Sequence, residues 1–293
     1  MTLHLHIGAH KTATTHIQNI LRKNRDALAA NDVEFLPPED IRDAIKYWRI
    51  AAETMAPLPT VSGALAGRKL ARMDKGSARI IASDENSLGH CRTMIRRGAL
   101  YARASTRLSL WRRLAEKRET TVYLSVRNYA PFFTSAYAQS VRGTRYYDLT
   151  ADMLKSLARL PRRWTDVAAD AQRALPGANL IIWDFADYKA LRSEILERLC
   201  GFPPPKHVKR RPMATPSMAG MAAYATAAAS SPGGVVSREQ RLALAAELPI
   251  TAESPKFNPW PKEMGQFLDQ EFAKDKALLR EQFGANFLVK PKA

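Results

Sequence analysis

The chain has 293 residues, 46% of them hydrophobic and 25% charged, which is the balance of a folded globular protein and excludes a disordered or fibrous one. No apolar run approaches the roughly 20 residues that cross a bilayer, and Met1–His10 lacks the basic start, apolar stretch and cleavage site of a secretory signal, so a cytoplasmic protein is expected. The net charge of +17 implies attraction to anions, while two cysteines, Cys91 and Cys200, in neither a CxxC nor a metal-ligand spacing argue against a disulfide framework or a zinc site.

In chain order, Leu3, Leu5 and Ile7 alternate with His4 and His6, the period of a strand, and the run stops at Gly8. His4 and His6 share one strand face and read as structural. Ile17, Ile20, Leu21 and Leu28 recur at helical spacing, which predicts a helix from about Thr14 to Ala30, closed by Asn31-Asp32. Val33–Leu36 is a short second strand. Pro37-Pro38 then opens a helix through Ile41, Ile45 and Trp48, followed by a looser connection to about Lys75. Arg79–Ser83 (RIIAS) and Thr120–Val126 (TTVYLSV) read as buried strands with a long basic helical region between them. From Cys91 to Arg163 there are 16 Lys and Arg against 4 Asp and Glu, a surplus of 12 that reads either as a surface for an anionic partner or as a solvated helix face. Asn179–Trp183 (NLIIW) is the next strand. Strands that alternate with helices give an α/β fold with a parallel sheet covered by helices. After Gly201 come Phe202-Pro-Pro-Pro and the basic Lys206–Arg211, then helical pattern interrupted by exposed loops at Ser230–Gly234 and Glu253–Pro261. The expectation is one domain over 1–293, with a core at 1–205 and a helical part at 206–293.

Ligands of open parallel sheets bind beyond the carboxyl ends of the strands, and three of those ends carry chemistry. Gly8-Ala-His-Lys-Thr-Ala-Thr-Thr15 joins a strand to a helix through a tight loop with a lysine and hydroxyls, which suits a phosphate or sulfonate. It lacks the GxxxxGK[ST] spacing of a Walker A loop. Read blandly, Lys11 is a surface lysine and Thr14-Thr15 are helix caps. Glu85, in Ser83-Asp84-Glu85-Asn86-Ser87, is a candidate general base, or else a loop carboxylate. Arg127 directly follows the strand Thr120–Val126, and Ser135 stands eight positions on, so a guanidinium fork and a hydroxyl can clamp one phosphate. Phe132, Phe133 and Tyr137 read as helix core, and Phe257, Trp260, Phe267, Phe272 and Phe283 as the packing of a C-terminal helix.

These segments carry a resemblance. HIGAHKTATTHIQ resembles the 5′-phosphosulfate loop of sulfotransferases that use 3′-phosphoadenosine 5′-phosphosulfate (PAPS), commonly PKxGTT in form. VYLSVRNYAPFFTSAYAQSVRG is similar to the family's 3′-phosphate motif, and IIASDENS to the strand and glutamate of its carbohydrate-type branch. LIIWDF followed by ILERLCGF also fits a later strand and helix of that fold. The resemblance implies a P-loop-type sheet and transfer of a sulfonate from PAPS to an acceptor hydroxyl, with a glycan as one candidate acceptor. No metal and no nucleic acid are expected. It implies that His10, Lys11, Thr12, Ala13, Thr14 and Thr15 hold the 5′-phosphosulfate and that Arg127 and Ser135 hold the 3′-phosphate. Lys11 and Glu85 would act in catalysis, with His90 the second choice of base. His10 and Ala13 replace the usual proline and glycine, and alanine suits a position of positive φ poorly. The family's C-terminal glycine-rich segment has no counterpart, and Lys206–Arg211 is the candidate substitute. The rival readings are a P-loop kinase-like phosphotransferase, which a Mg²⁺ requirement would reveal, and a non-catalytic binder of anionic polymers.

Overall fold

The computed structural model describes residues 1–46, 60–209 and 214–290. Trp48, expected on the second helix, and Arg210 and Arg211 of the basic connection lie outside the described residues. Six strands form one sheet: β1 (Thr2–Gly8), β2 (Val33–Leu36), β3 (Arg79–Ser83), β4 (Glu119–Val126), β5 (Asn179–Asp184) and β6 (Phe287–Leu288). They lie in the order β2-β3-β1-β4-β5-β6, and every neighbouring pair is parallel. The α/β class expected from the sequence is the one observed.

Successive strand residues point to opposite faces, so each strand feeds two cores. Leu3, Leu5, Ile7, Val122 and Leu124 pack on one face with Ile95, Phe132, Trp164 and Leu268 of the helices Cys91–Arg97, Tyr129–Ser140, Trp164–Ala174 and Lys262–Phe283. Ile81, Tyr123, Ile181 and Trp183 pack on the other, against Ile17, Ile20 and Leu21 of the helix Thr14–Lys23 and Leu191, Ile195 and Leu199 of the helix Tyr188–Cys200. The two strand histidines belong to this second face. His4 Nδ1 lies 2.9 Å from the Tyr123 hydroxyl and His6 Nδ1 lies 2.8 Å from Ser83 Oγ. Burial lowers the pKa of each to about 4, so both are neutral structural groups at pH 7.

Several elements depart from the sequence reading. The helix expected over Thr14–Ala30 breaks at Asn24, whose amide donates to the carbonyls of Ile20 and Lys206 while its Oδ1 accepts from the Lys206 N–H at 2.9 Å. A helix, Thr60–Ala71, stands where a loose connection was expected. Gly63 and Gly67 lower its intrinsic propensity, yet at Gly67 a side chain would press within 3.2 Å of the Leu110 carbonyl, so the small residue serves packing. The C-terminal part also adds β6, too short to show a period in the sequence. Trp260 and Phe272 are buried as expected for the C-terminal packing, joined by Leu268 and Leu279, which the sequence reading did not single out, whereas Phe267 is exposed. Among the described residues no helix is long and apolar enough to cross a membrane.

The chain leaves β1 toward the β2 edge and leaves β4 toward the β6 edge. The loops after these two adjacent strands therefore diverge and open a crevice at their carboxyl ends, the place where open α/β sheets bind ligands.

Candidate active site

β1 ends at Gly8, which has a φ of 90°, and a Cβ at this position would stand 3.0 Å from both Glu85 Cβ and Thr14 Cγ2. Glycine thus lets the loop, the first helix and the Glu85 turn close on one another. Lys11 (φ 61°) and Ala13 (φ 66°) both adopt the left-handed region, at roughly 1–2 kcal/mol each for an L-residue. Alanine therefore stands at a position of positive φ. The conformation is held by two bonds: Thr12 Oγ1 donates to the Ala9 carbonyl and Arg127 Nη1 to the Lys11 carbonyl, each at 2.7 Å. Backbone strain held this way by its surroundings points to a working loop.

The loop opens into a cleft of about 480 Å³, a size that suits a nucleotide. His10, Lys11, Ala13, Thr14, Thr15, Glu85, Arg127 and Ser135 all line it. Thr12 alone of the expected set stands behind the wall, fully buried, with its hydroxyl turned onto Ala9. Ala13 is the N-cap of the helix Thr14–Lys23 and has no side chain to cap it, so the positive end of that helix meets the cleft at Thr14 and Thr15. Opposite, Arg127 lies with its guanidinium 4.9 Å from the Phe185 ring centre, and Ser135 Oγ accepts from Thr215 Oγ1 at 3.4 Å.

The sequence reading missed Gln139, Phe185, Thr215 and Lys256, which also line this cleft. Thr215 and Lys256 arrive together because the two C-terminal segments pair: Ser217 bridges Lys256, and the Phe257 N–H donates to the Pro216 carbonyl at 2.9 Å. The expected substitute, Lys206–Arg211, begins elsewhere. Asn24 clamps the Lys206 backbone at the far end of the helix Thr14–Lys23, and the Lys206 ammonium faces exposed Asp26.

Asp84, Glu85 and Asn86 form a turn directly after β3, with Asp84 Oδ1 accepting the Asn86 N–H. Arg42 Nη2 reaches Asp84 Oδ1 at 2.6 Å and Glu85 Oε1 at 3.2 Å, and Gln18 Nε2 donates to Glu85 Oε2 at 3.0 Å. The Asn86 carboxamide satisfies its neighbours in one orientation: Oδ1 accepts from Arg42, and Nδ2 donates to His10 Nε2 at 3.0 Å and to His90 Nδ1 at 3.2 Å. In that arrangement His90 Nδ1 accepts from the Asn86 amide. His90 also lies outside the cleft, in a small hollow with Leu88, Met94 and Arg97. Glu85 is thus the one of the two candidate bases that lines the cleft with Lys11.

Burial is the main cause that lowers the Lys11 ammonium to about pKa 8, reinforced by Arg142, Arg127 and Lys256. Burial pushes Glu85 up, but His10 and Arg42 pull it down by more, so it lies below the ordinary glutamate value and is ionised at pH 7. Burial raises the Cys91 thiol to about 12, which leaves it an inert neutral group beside Lys11. Many of the other cations between Cys91 and Arg163 are tied into the fold: Arg107 to the Asn86 carbonyl, Arg112 to the Ala174 carbonyl, Arg118 to Asp74, Arg162 to Asp170 and Arg163 to Glu271.

A strained loop at a helix N-terminus, three lining cations, hydroxyls on both walls and one ionised carboxylate give a site able to hold a small polyanion and accept a proton beside it. Set against protein-family models, curated proteins and solved structures, the chain matches none, so its functional reading rests on this geometry.

Proposed function

We propose that the chain is a sulfotransferase that moves a sulfonate from PAPS to an acceptor hydroxyl. The observation that carries this reading is the convergence of three sequence-distant strand ends on one cleft: Lys11 after β1, Glu85 after β3 and Arg127 after β4. The donor set fits the two ends of such a nucleotide. Lys11, Thr14 and Thr15 would hold the phosphosulfate at the helix N-terminus, and Arg127, Ser135 and Lys256 would hold the 3′-phosphate.

In the reaction the acceptor oxygen attacks sulfur in line, and the bond from sulfur to the bridging oxygen breaks, releasing adenosine 3′,5′-bisphosphate. The Lys11 ammonium neutralises the charge that grows on the bridging oxygen, a contribution commonly of about 10² to 10³ in rate. The acceptor proton passes to Glu85. A carboxylate below its ordinary pKa is a weak base, so the proton moves late, once bond formation to sulfur has made the hydroxyl acidic.

Calorimetric titration tests the reading. The protein should prefer adenosine 3′,5′-bisphosphate to 5′-AMP by about 1.5–3 kcal/mol, the worth of a charge-assisted hydrogen-bonded contact to the extra phosphate. Equal affinities would remove the 3′-phosphate assignment, and binding that demands Mg²⁺ would favour the kinase-like alternative.

A further inference from the structure

Asp84, Glu85 and Asn86 are consecutive, and one guanidinium touches all three. Arg42, on the helix Pro38–Ala44, donates from Nε at 3.0 Å and Nη2 at 2.6 Å to Asp84 Oδ1, from Nη2 to Glu85 Oε1 at 3.2 Å, and to Asn86 Oδ1 at 3.0–3.1 Å. It does not line the cleft, and it belongs to none of the three strand-end motifs. Asp84 is 1% exposed and the Glu85 side chain 15%, so two carboxylates lie side by side out of water. Without a shared cation, mutual repulsion and burial would drive a proton onto one of them.

The orientation of Glu85 follows from the same contacts. Arg42 takes one lone pair of Oε1 and Gln18 one of Oε2, which fixes the plane of a carboxylate that lines the cleft. Asp84 and Asn86 in turn fix the guanidinium. The other ionisable groups that face Glu85 are His6 and His10 from β1 and its loop, Lys11 across the cleft, Cys91 at the next helix start, and Tyr101. At pH 7 burial keeps the two histidines, the thiol and the phenol neutral, so Arg42, Lys11 and Asp84 are the charged groups around Glu85, and His10 adds its pull only at the acid pH where its imidazole gains a proton.

We propose that Arg42 is a positioning residue for Glu85, binding Asp84, Glu85 and Asn86 at once so that Glu85 stays ionised with its carboxylate turned into the cleft. Its effect on turnover rests on the sulfotransferase reading, whereas its electrostatic hold on Glu85 does not.

The test has two arms. In the first, the Glu85 side-chain carboxyl is titrated by carbon-13 NMR in the wild type and in Arg42→Met, with Glu85→Gln to assign the signal. The midpoint should rise by about one pH unit or more, the usual effect of removing an adjacent opposite charge. Arg42→Lys keeps a charge but cannot reach all three partners, so its midpoint should move the same way by less. This variant decides the arm if Arg42→Met does not fold. An unchanged midpoint in the folded variants overturns the proposal.

In the second arm, Arg42→Met should lower kcat by about 10-fold or more while the Kd for adenosine 3′,5′-bisphosphate stays within about 3-fold, since proton transfer alone is affected. In a Glu85→Gln background it should lower kcat no further. An equal loss in both backgrounds would make Arg42 a purely structural residue. A wild type that binds no bisphosphate would sink the sulfotransferase reading and leave the NMR arm to decide the hold of Arg42 on Glu85.

Discussion

Lys11 carries its charge into a place that disfavours charge, and the sign of the consequence can be worked out. Its pKa is about 8 in the folded chain against 10.5 for an ordinary lysine, chiefly through burial. Between those values the unfolded chain holds more protons than the folded one, so stability rises with pH across this window. Below about pH 8 the destabilising effect is present in full. Lys11→Met should therefore be more stable than the wild type at pH 7, with the difference shrinking by pH 10, as read from urea midpoints at the two values. A difference that stays the same at both would show that the ammonium is not held unfavourably. A dianion in the cleft reverses the argument, because it favours the charged lysine. Nucleotide affinity in the wild type should accordingly fall as pH climbs past about 8. The residues legible in the sequence, Lys11, Glu85, Arg127 and Ser135, share a feature: each stands at a strand end or one helical face beyond it, where chain order alone points to the cleft. Thr215 and Lys256 reach the cleft from the C-terminal segments, while Arg42 and Gln18 stay outside it and bond Glu85, and no period or motif links a residue of a short helix to a turn some forty positions on.

At the scale of the element, the loop Gly8–Ala13 is where the chain departs most from what its residues prefer. The sequence shows the strand through alternation and the helix through spacing, and it raises the question of alanine at Ala13. It cannot show that Lys11 is also left-handed, since that conformation is imposed by Arg127 and Thr12 on the Lys11 and Ala9 carbonyls. Two opposite substitutions follow. Ala13→Gly relieves roughly 1–2 kcal/mol of left-handed strain at the expense of somewhat less in backbone entropy, so the variant should unfold at an equal or slightly higher temperature. Gly8→Ala places a Cβ 3.0 Å from Glu85 and Thr14 at a φ of 90°, so it should lose about 1–3 kcal/mol and displace the Glu85 turn. Thermal melts of the two variants should move apart, and a Gly8→Ala protein as stable as the wild type would mean that the three segments are not closely packed there.

At the scale of the molecule, the question is whether the part beyond residue 205 is an appendage or a portion of the core. Composition changes at Phe202-Pro-Pro-Pro, which is why the sequence reads as a boundary there. The packing crosses it. Asp275 is fully buried and accepts from the Tyr129 hydroxyl at 2.5 Å and from the backbone N–H groups of Trp164 and Thr165 at 2.9 and 3.3 Å, so one carboxylate of the last helix caps the helix Trp164–Ala174 and ties it to a side chain of the helix that follows β4. Trp260 Nε1 donates to Thr134 Oγ1 and the Ala130 carbonyl, and Arg163 pairs with Glu271. Leu268, Phe272 and Leu279 fill the same core as Tyr129, Phe133 and Trp164. Removing them would expose these aromatic side chains at about 1.5–3 kcal/mol for each large side chain, and would leave the Tyr129 hydroxyl and two helix N–H groups without Asp275. A few such losses equal the whole stability of an ordinary domain, about 5–15 kcal/mol. The chain shortened to residues 1–205 should thus lose its cooperative unfolding transition and its near-ultraviolet circular dichroism, and it should bind no bisphosphate because Thr215 and Lys256 leave with the segment. A sigmoidal melt for the shortened chain would show that the sheet and its first helices form a complete core without the C-terminal third.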